Sequence, residues 1–496
     1  MRVVVSADFL SSLPAGDAVL WEAYLRDRDS GVTRLALPGH KRGGWYATAN
    51  GTLESRAGAW GADTPVWLNA DMRVPSVGTV AAAEGAAASL WGGDIARFSV
   101  NGSSAVNQAT LLAVAGPGEE VVVSRSLHKS VLMGLVFSGA VPVWVRPTVD
   151  PFSGVPVGVD ASAVRDALTR HPGAVGVFVG DPSYARTVGD VGAIAAVTGE
   201  HKVPLVVDAA WAGHFGFHPG LPGHALQQGA DVMVASAHKA LVGLSPSALV
   251  VARAGLVDTD RLSAGVDATQ TTSPPASVLA SIDVSRSLLQ HHGERLLDGV
   301  LAAVGEVRLR LSREFPGVCL EHVRVDPMSL PLSTASIGVD GVLVAEVLRS
   351  RGYVLEMVSR DLLIPHFTLV DDPAVVRQFG EVLVEVLGEC VRAGSAADPR
   401  GAGGGPGGVN VWMVDPVVAM SPREAYFADT VRVPVGDAVG RVCAELVSPY
   451  PPGVPALAPG EVVTREVLEV VASAQRSGVL VAYASDPTVE TLLVVR

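Results

Sequence analysis

Between residues 80 and 285 the chain repeats one pattern: a short β-branched or apolar run, then an Ala- and Leu-rich stretch with apolar positions at helical spacing. The strand candidates are EVVVSR (120–125), VPVWVRP (141–147), AVGVFVGDP (174–182), VPLVVDAA (203–210), DVMVAS (231–236) and SALVVAR (247–253). Segments such as SAVNQATLLAVA and VGAIAAVTGEHK lie between them. Strands that are apolar throughout and separated by helices predict a parallel sheet covered on both faces. Domains of this α/β kind bind ligands at the carboxyl ends of their strands.

A length of 496 residues calls for more than one core. Residues 1–285 are expected to hold an N-terminal segment and the large α/β domain. Residues 286–393 carry long helical patterns and are expected to form a smaller domain. The stretch 394–408 is Gly/Pro-rich and reads as a linker or exposed loop. It contains a formal G-x-G-x-x-G at Gly403, Gly405 and Gly408, but no strand precedes it and Pro406 interrupts it. A dinucleotide site needs both a strand before and a helix after. Residues 409–496, with strands of their own and a Pro-rich turn, are expected to form a small C-terminal α+β domain.

Composition narrows the function classes. A net charge of −13 disfavours nucleic acid and anionic membranes as partners. No apolar run reaches the roughly 18 residues that span a bilayer, and the N-terminus lacks a signal-peptide layout. A cytoplasmic protein is expected. Three scattered cysteines fit neither a disulfide framework nor a cysteine metal site. His214, His218 and His224 lie in a Gly/Pro-broken stretch without a helical H-x-x-x-H face, so no metal is expected.

Of 37 basic residues only four are lysine: Lys41, Lys129, Lys202 and Lys239. Lys239 stands out because it follows the apolar strand DVMVAS and precedes the apolar run ALVGL. An ammonium there is poorly hydrated. Three other strand ends carry complementary groups. FSVNGSSAVNQ (98–108) places Ser103 and Ser104 at a helix start, which suits either an anion site or an ordinary N-cap. SRSLHKS (124–130) places an imidazole, His128, after the strand EVVV. VPLVVDAAWAGHF (203–215) places Asp208 at the end of an apolar run with no cationic neighbour in sequence.

One cofactor uses all four. Pyridoxal phosphate (PLP) needs a lysine amine, a phosphate cup at a helix start, a carboxylate at its pyridine nitrogen and a flat group against its ring. Lys239, Ser103 with Ser104, Asp208 and His128 match those needs. Lys202 lies at the entry to a strand, the wrong end of the sheet, and Lys41 lies in an N-terminal loop. Lys129 neighbours His128, and adjacent side chains point apart.

These residues carry a family resemblance. LPGHKRG (37–43), FSVNGSSAVNQ, SLHKSV (126–131), FVGDPSY (178–184), VVDAAWAGHFGFHP (206–219), SAHKALVGLS (236–245) and TTSPPASVLASID (271–283) resemble the ornithine/lysine/arginine decarboxylases. So do MSPREAYFA (420–428) and AVGRVCAELVSPYPPGVPALAPGE (438–461). The resemblance implies the PLP-dependent transferase fold, aspartate-aminotransferase-like or fold type I. It implies a lyase that decarboxylates arginine, lysine or ornithine. Lys239 would be the Schiff-base lysine, Asp208 the partner of the pyridine nitrogen, and His128 the stacking ring. Ser103, Ser104, Trp211, Ser236 and His238 would be cofactor contacts, with Lys239 or His238 returning the proton. Thr271 or Thr272 would reach a partner subunit's site, making the active unit a homodimer. Glu356 is the candidate for a cationic distal group, although a solvated glutamate fits the sequence equally well.

The chain departs from the family at Ala209, Pro246 and Ala276, which leaves transamination, elimination or oxidative deamination as alternative PLP reactions.

Overall fold

The computed structural model describes residues 12–30, 63–394, 412, 414–450, 454–476 and 479–496. Lys41 with the stretch 37–43, most of the 394–408 linker, and residues 451–453 of the PYPPG stretch lie outside the described residues.

Seven strands form the central sheet: β1 (Ile95–Ser99), β2 (Glu120–Ser124), β3 (Val141–Val145), β4 (Val177–Gly180), β5 (Leu205–Asp208), β6 (Val232–Ser236) and β7 (Ala248–Ala252). Their order is β1-β7-β6-β5-β4-β2-β3. The six strand candidates from the sequence all form strands, and the run before Asn101 supplies the seventh.

Alternate residues of each strand feed two different cores. Val121, Val123, Phe178, Val206, Val232, Val234 and Val250 face α3 (Gly102–Val114), α4 (Lys129–Ser138) and α8 (Thr259–Thr269). Val122, Val177, Val179, Val207, Met233 and Val251 face α2 (Val77–Trp91), α5 (Ala161–Arg170), α6 (Val191–His201) and α9 (Ala276–Glu314). A strand buried on both sides has no reason to alternate apolar with polar, which explains the continuous apolar runs.

The sheet departs from the all-parallel expectation at one strand. β7 runs antiparallel to both neighbours, β6 and β1. The segment between β6 and β7, residues 237–247, is too short for a parallel crossover, which takes a dozen or more residues. It makes one helical turn, α7 (Ala237–Ala240), and folds straight back. Gly243 permits this return: a Cβ there would sit 2.2 Å from Ser247 Oγ and 2.8 Å from Ala237 Cβ.

The 39-residue α9 passes from the large sheet to a smaller layer, so residue 285 lies within a continuous helix. There β8 (Leu332–Ser333), β9 (Met357–Val358) and β10 (Leu362–Ile364) form a three-stranded sheet in the order β8-β10-β9. α10 (Gly341–Ser350) packs on it, and α11 (Pro373–Arg392) packs against α10 and α9.

The C-terminal segment has its own apolar core, with Val447, Leu457, Val463, Val467, Val471, Leu492 and Val494 buried. Two antiparallel pairs frame it, β11 (Thr430–Pro434) with β14 (Thr491–Val495) and β12 (Ser448–Tyr450) with β13 (Leu480–Ala482). Several contacts fasten it to the large domain, two of them through Arg423 and Arg125. Arg423, in α12 (Pro422–Phe427), donates to the carbonyls of Val136 and Phe137 at the end of α4. Arg125, just past β2, makes a bidentate ion pair with Glu461 at 2.6 and 2.8 Å, both side chains 3% exposed. No described helix is long and apolar enough to cross a membrane.

Candidate active site

The carboxyl ends of β1, β2, β4, β5 and β6 open onto one cavity of about 490 Å³. This is within the range of small-molecule sites, about 300–1,000 Å³. Ser103, Ser104, His128, Asp208, Trp211, His238, Lys239 and Glu356 all line it. Ser236 lies one layer behind, fully buried, and its hydroxyl donates to Ser103 Oγ at 2.9 Å. Thr271 and Thr272 are exposed and do not line this chain's cavity. Of the positions that depart from the family, Pro246 lines the cavity, while Ala209 and Ala276 are buried and do not.

The other described lysines lie elsewhere. Lys129 Nζ sits 3.8 Å from the centroid of the Tyr483 ring, and Lys202 is exposed at the end of α6. Lys239 is the lysine whose amine meets the cavity, 4.2 Å from the centroid of Trp211. Burial lowers its pKa; Asp208 opposes that shift and Arg186 adds to it.

A relay of hydrogen bonds orients the cavity's other polar groups. Asn107, on α3, donates from Nδ2 to Asp208 Oδ2 at 2.8 Å and to Ser130 Oγ at 3.0 Å. His128 caps α4: the Ser130 backbone N–H donates to its Nδ1 at 3.2 Å, and the Ser130 hydroxyl lies 2.9 Å from the same nitrogen. With both Asn107 hydrogens engaged, the Ser130 hydroxyl proton is free to point at His128. The ring is thereby fixed with Nδ1 as acceptor. Burial lowers the His128 pKa, so the ring stays neutral. Asp208 Oδ1 accepts from the Ala210 N–H at 3.2 Å.

His238 donates from Nδ1 to the Ser247 carbonyl at 2.7 Å, and burial lowers its pKa. His366, in the loop after β10, donates from Nε2 to the main-chain carbonyl of Lys239 at 2.6 Å. Burial, then the nearby Arg186 charge, pushes its pKa down to about 4.

Asn107, Ser130, Tyr184, His366, Tyr450 and Tyr483 complete the cavity or its relay without having been singled out in the sequence. Asn107 had a signal: an amide at the inner, apolar face of a helix. His366 had a fainter one, a polar residue directly after a buried strand. Tyr450 lay in the PYPPG stretch that resembles the family, whereas Tyr483 had no signal, because only the packing of the C-terminal segment brings it here.

The donor set fits PLP. Asp208 ends β5 with a carboxylate whose hydrogen bonds all come from neutral donors, which suits a protonated ring nitrogen. Asn101 precedes α3 without a side-chain cap bond, which leaves the helix start open to an anion.

Comparison with known proteins identifies the family. The family model Orn/Lys/Arg decarboxylase, major domain, matches residues 24–324, and the family's C-terminal domain matches residues 409–478. An arginine decarboxylase of Bacillus subtilis (strain 168) is 32% identical over 435 residues, 86% of this chain and 87% of that protein. Lysine decarboxylase A from Pseudomonas aeruginosa superposes with a TM-score of 0.80 at 20% identity, over 99% of this chain and 81% of that one. A structure of SPT with PLP superposes with a TM-score of 0.52 at 18% identity, over 63% of this chain and 77% of that one. The sheet with its helical layers is the PLP-dependent fold type I, and the chain belongs to the Orn/Lys/Arg decarboxylase family.

Proposed function

We propose that this chain decarboxylates a basic amino acid (arginine, lysine or ornithine) with PLP as cofactor, in the cytoplasm and as a homodimer. The observation that carries the reading is the convergence of the Lys239 amine, the Asp208 carboxylate and the open start of α3 on one cavity. The names of the relatives supply the substrate class.

When bound, PLP supplies an electron sink for the pair left behind as CO2 departs. Everything else falls to the chain. Lys239 holds the cofactor through its amine, which burial keeps reactive. Asp208 keeps a proton on the ring nitrogen, and Asn107 fixes the carboxylate that does so. His128 would stack on the cofactor ring. Ser103 and Ser104 would hold the phosphate with the N–H groups of α3, and Ser236 supports Ser103 from behind through its hydroxyl. Lys239 or His238 returns the proton to Cα. Glu356 takes the cationic distal group of the substrate, beside Tyr184. Thr271 or Thr272 reaches the partner subunit's site.

Turnover of each basic amino acid in deuterated water tests the reading. The expected result is stoichiometric CO2 and an amine carrying one deuteron at Cα. Ammonia or keto acid without CO2 would overturn decarboxylation. Borohydride reduction followed by peptide mapping should fix the cofactor on Lys239, and label on Lys129 or Lys202 would overturn that assignment.

A further inference from the structure

Arg186 is a conspicuous residue behind the cavity. It sits in a turn, with its N–H donating to the Ser183 carbonyl at 2.9 Å and its carbonyl accepting from the Asp326 N–H at 2.8 Å. Its φ is +66°, a backbone region that side-chain-bearing residues avoid. A large residue held there is over-determined by its surroundings, and such positions concentrate at functional sites. Arg186 is 1% exposed, and its Nε and Nη1 make no hydrogen bond. Asp326, the carboxylate nearest in charge, is already engaged by His214, the Met328 N–H and Ser329.

What the guanidinium does touch is a ring. Its Cζ lies over the ring of Trp211, 3.2 Å from the centroid. Lys239 Nζ lies 4.2 Å from the same centroid. His366 meets Trp211 edge-on at 5.3 Å and holds the Lys239 carbonyl at 2.6 Å, and Tyr184 meets it edge-on at 6.2 Å. The indole is therefore the common neighbour of a buried guanidinium, two of whose nitrogens lack a hydrogen bond, and the Lys239 amine.

We propose that Arg186 is a positioning residue for Lys239, fixing the plane of Trp211 so that the ring in turn places the amine in the cavity. The proposal rests on the reading of Lys239 as the reactive amine. A second consequence follows from charge. The groups facing Lys239 are Asp208 from β5, Arg186 from the turn after β4, His128 from α4, and Glu356 and His366 from the small domain. Asp208 and Glu356 favour the ammonium, burial opposes it, and Arg186 adds to that opposition. Removing the guanidinium should both loosen the amine and make it more basic.

The test measures acylation of lysine amines by acetic anhydride in the full-length chain prepared without PLP, read peptide by peptide. With four lysines in the sequence, Lys129 and Lys202 serve as internal references. Arg186→Met is expected to slow acylation of Lys239 at neutral pH several-fold, because a looser and more basic amine is more fully protonated, with the references unchanged. Arg186→Lys, which keeps a cation but not a planar group, should restore only part of the rate. If Arg186→Met folds poorly, Trp211→Leu alone should slow Lys239 in the same sense. Applying Arg186→Met in the Trp211→Leu background should have a smaller effect, because the part carried by the ring is already lost and only the direct charge effect remains. Unchanged Lys239 acylation in folded Arg186→Met overturns the proposal. So does an effect of equal size in both backgrounds, or unchanged acylation in Trp211→Leu. Because no turnover is measured, failure of the decarboxylase reading would leave these outcomes distinct from it.

Discussion

Asn107 ties together two groups that the sequence presents as unrelated, the Asp208 carboxylate and the His128 ring. It does so through two hydrogens on one nitrogen. Replacing it with leucine keeps the volume but strands Asp208 Oδ2 and the Ser130 hydroxyl. A hydrogen bond to a charged group contributes about 1.5–3 kcal/mol, so Asn107→Leu should lower kcat roughly 10- to 100-fold. Asp208→Asn should lose more, roughly 10²- to 10³-fold, while the fold survives. Equal rates for wild type and Asp208→Asn in a steady-state assay would reduce the carboxylate to a structural role. The four central groups, Lys239, Asp208, Ser103 and His128, were legible because each is a chemical anomaly at the end of an apolar run. Arg186 was not, since nothing in DPSYARTVGD distinguishes a buried guanidinium from a solvated one.

At the level of elements, the strands were legible and the direction of β7 was not. Direction depends on the length of the connection, and that length shows only once the ends of both strands are fixed. The end of β4 also holds a group that titrates against the fold. Asp181 is 5% exposed, accepts from the Gly189 N–H at 2.6 Å, and is pushed up to about 6, chiefly by burial. Its folded pKa lies above the ordinary carboxylate value of 3.8. The stability it contributes is therefore complete below that value and is lost as pH rises through about 6. Asp181→Asn keeps an acceptor for Gly189 and removes the charge. Its advantage in urea unfolding should grow between pH 4 and 6 and then level off, on the order of 3 kcal/mol. A pH-independent difference would show that Asp181 is not the titrating group.

At the level of the whole molecule, the Arg125–Glu461 pair joins the large domain to the C-terminal core. Breaking a fully buried pair costs about 3–5 kcal/mol, whereas replacing both partners with apolar residues costs far less. Glu461→Gln should therefore destabilise strongly in urea, and Arg125→Met with Glu461→Met should recover most of the loss. A negligible loss in Glu461→Gln would show that the domains are held by other contacts. The proposed shared site at a dimer interface has its own signature. In that arrangement Thr272→Trp would block the partner's cavity, and Lys239→Ala would disable its own. Mixed and refolded together, the two variants should regain about a quarter of wild-type activity, because half the dimers are mixed and one site in each is whole. No recovery would place Thr272 outside the site.

Tyr450 and Tyr483 line the same cavity as Ser103. The first and last walls of that cavity leave the ribosome about 380 residues apart, roughly 20–75 s at ordinary elongation rates. For that interval the large sheet can fold and display its lysine while the chamber stays open on one side. With PLP as the proposed cofactor, a nascent chain of this protein should thus bind it well before it can discriminate between substrates.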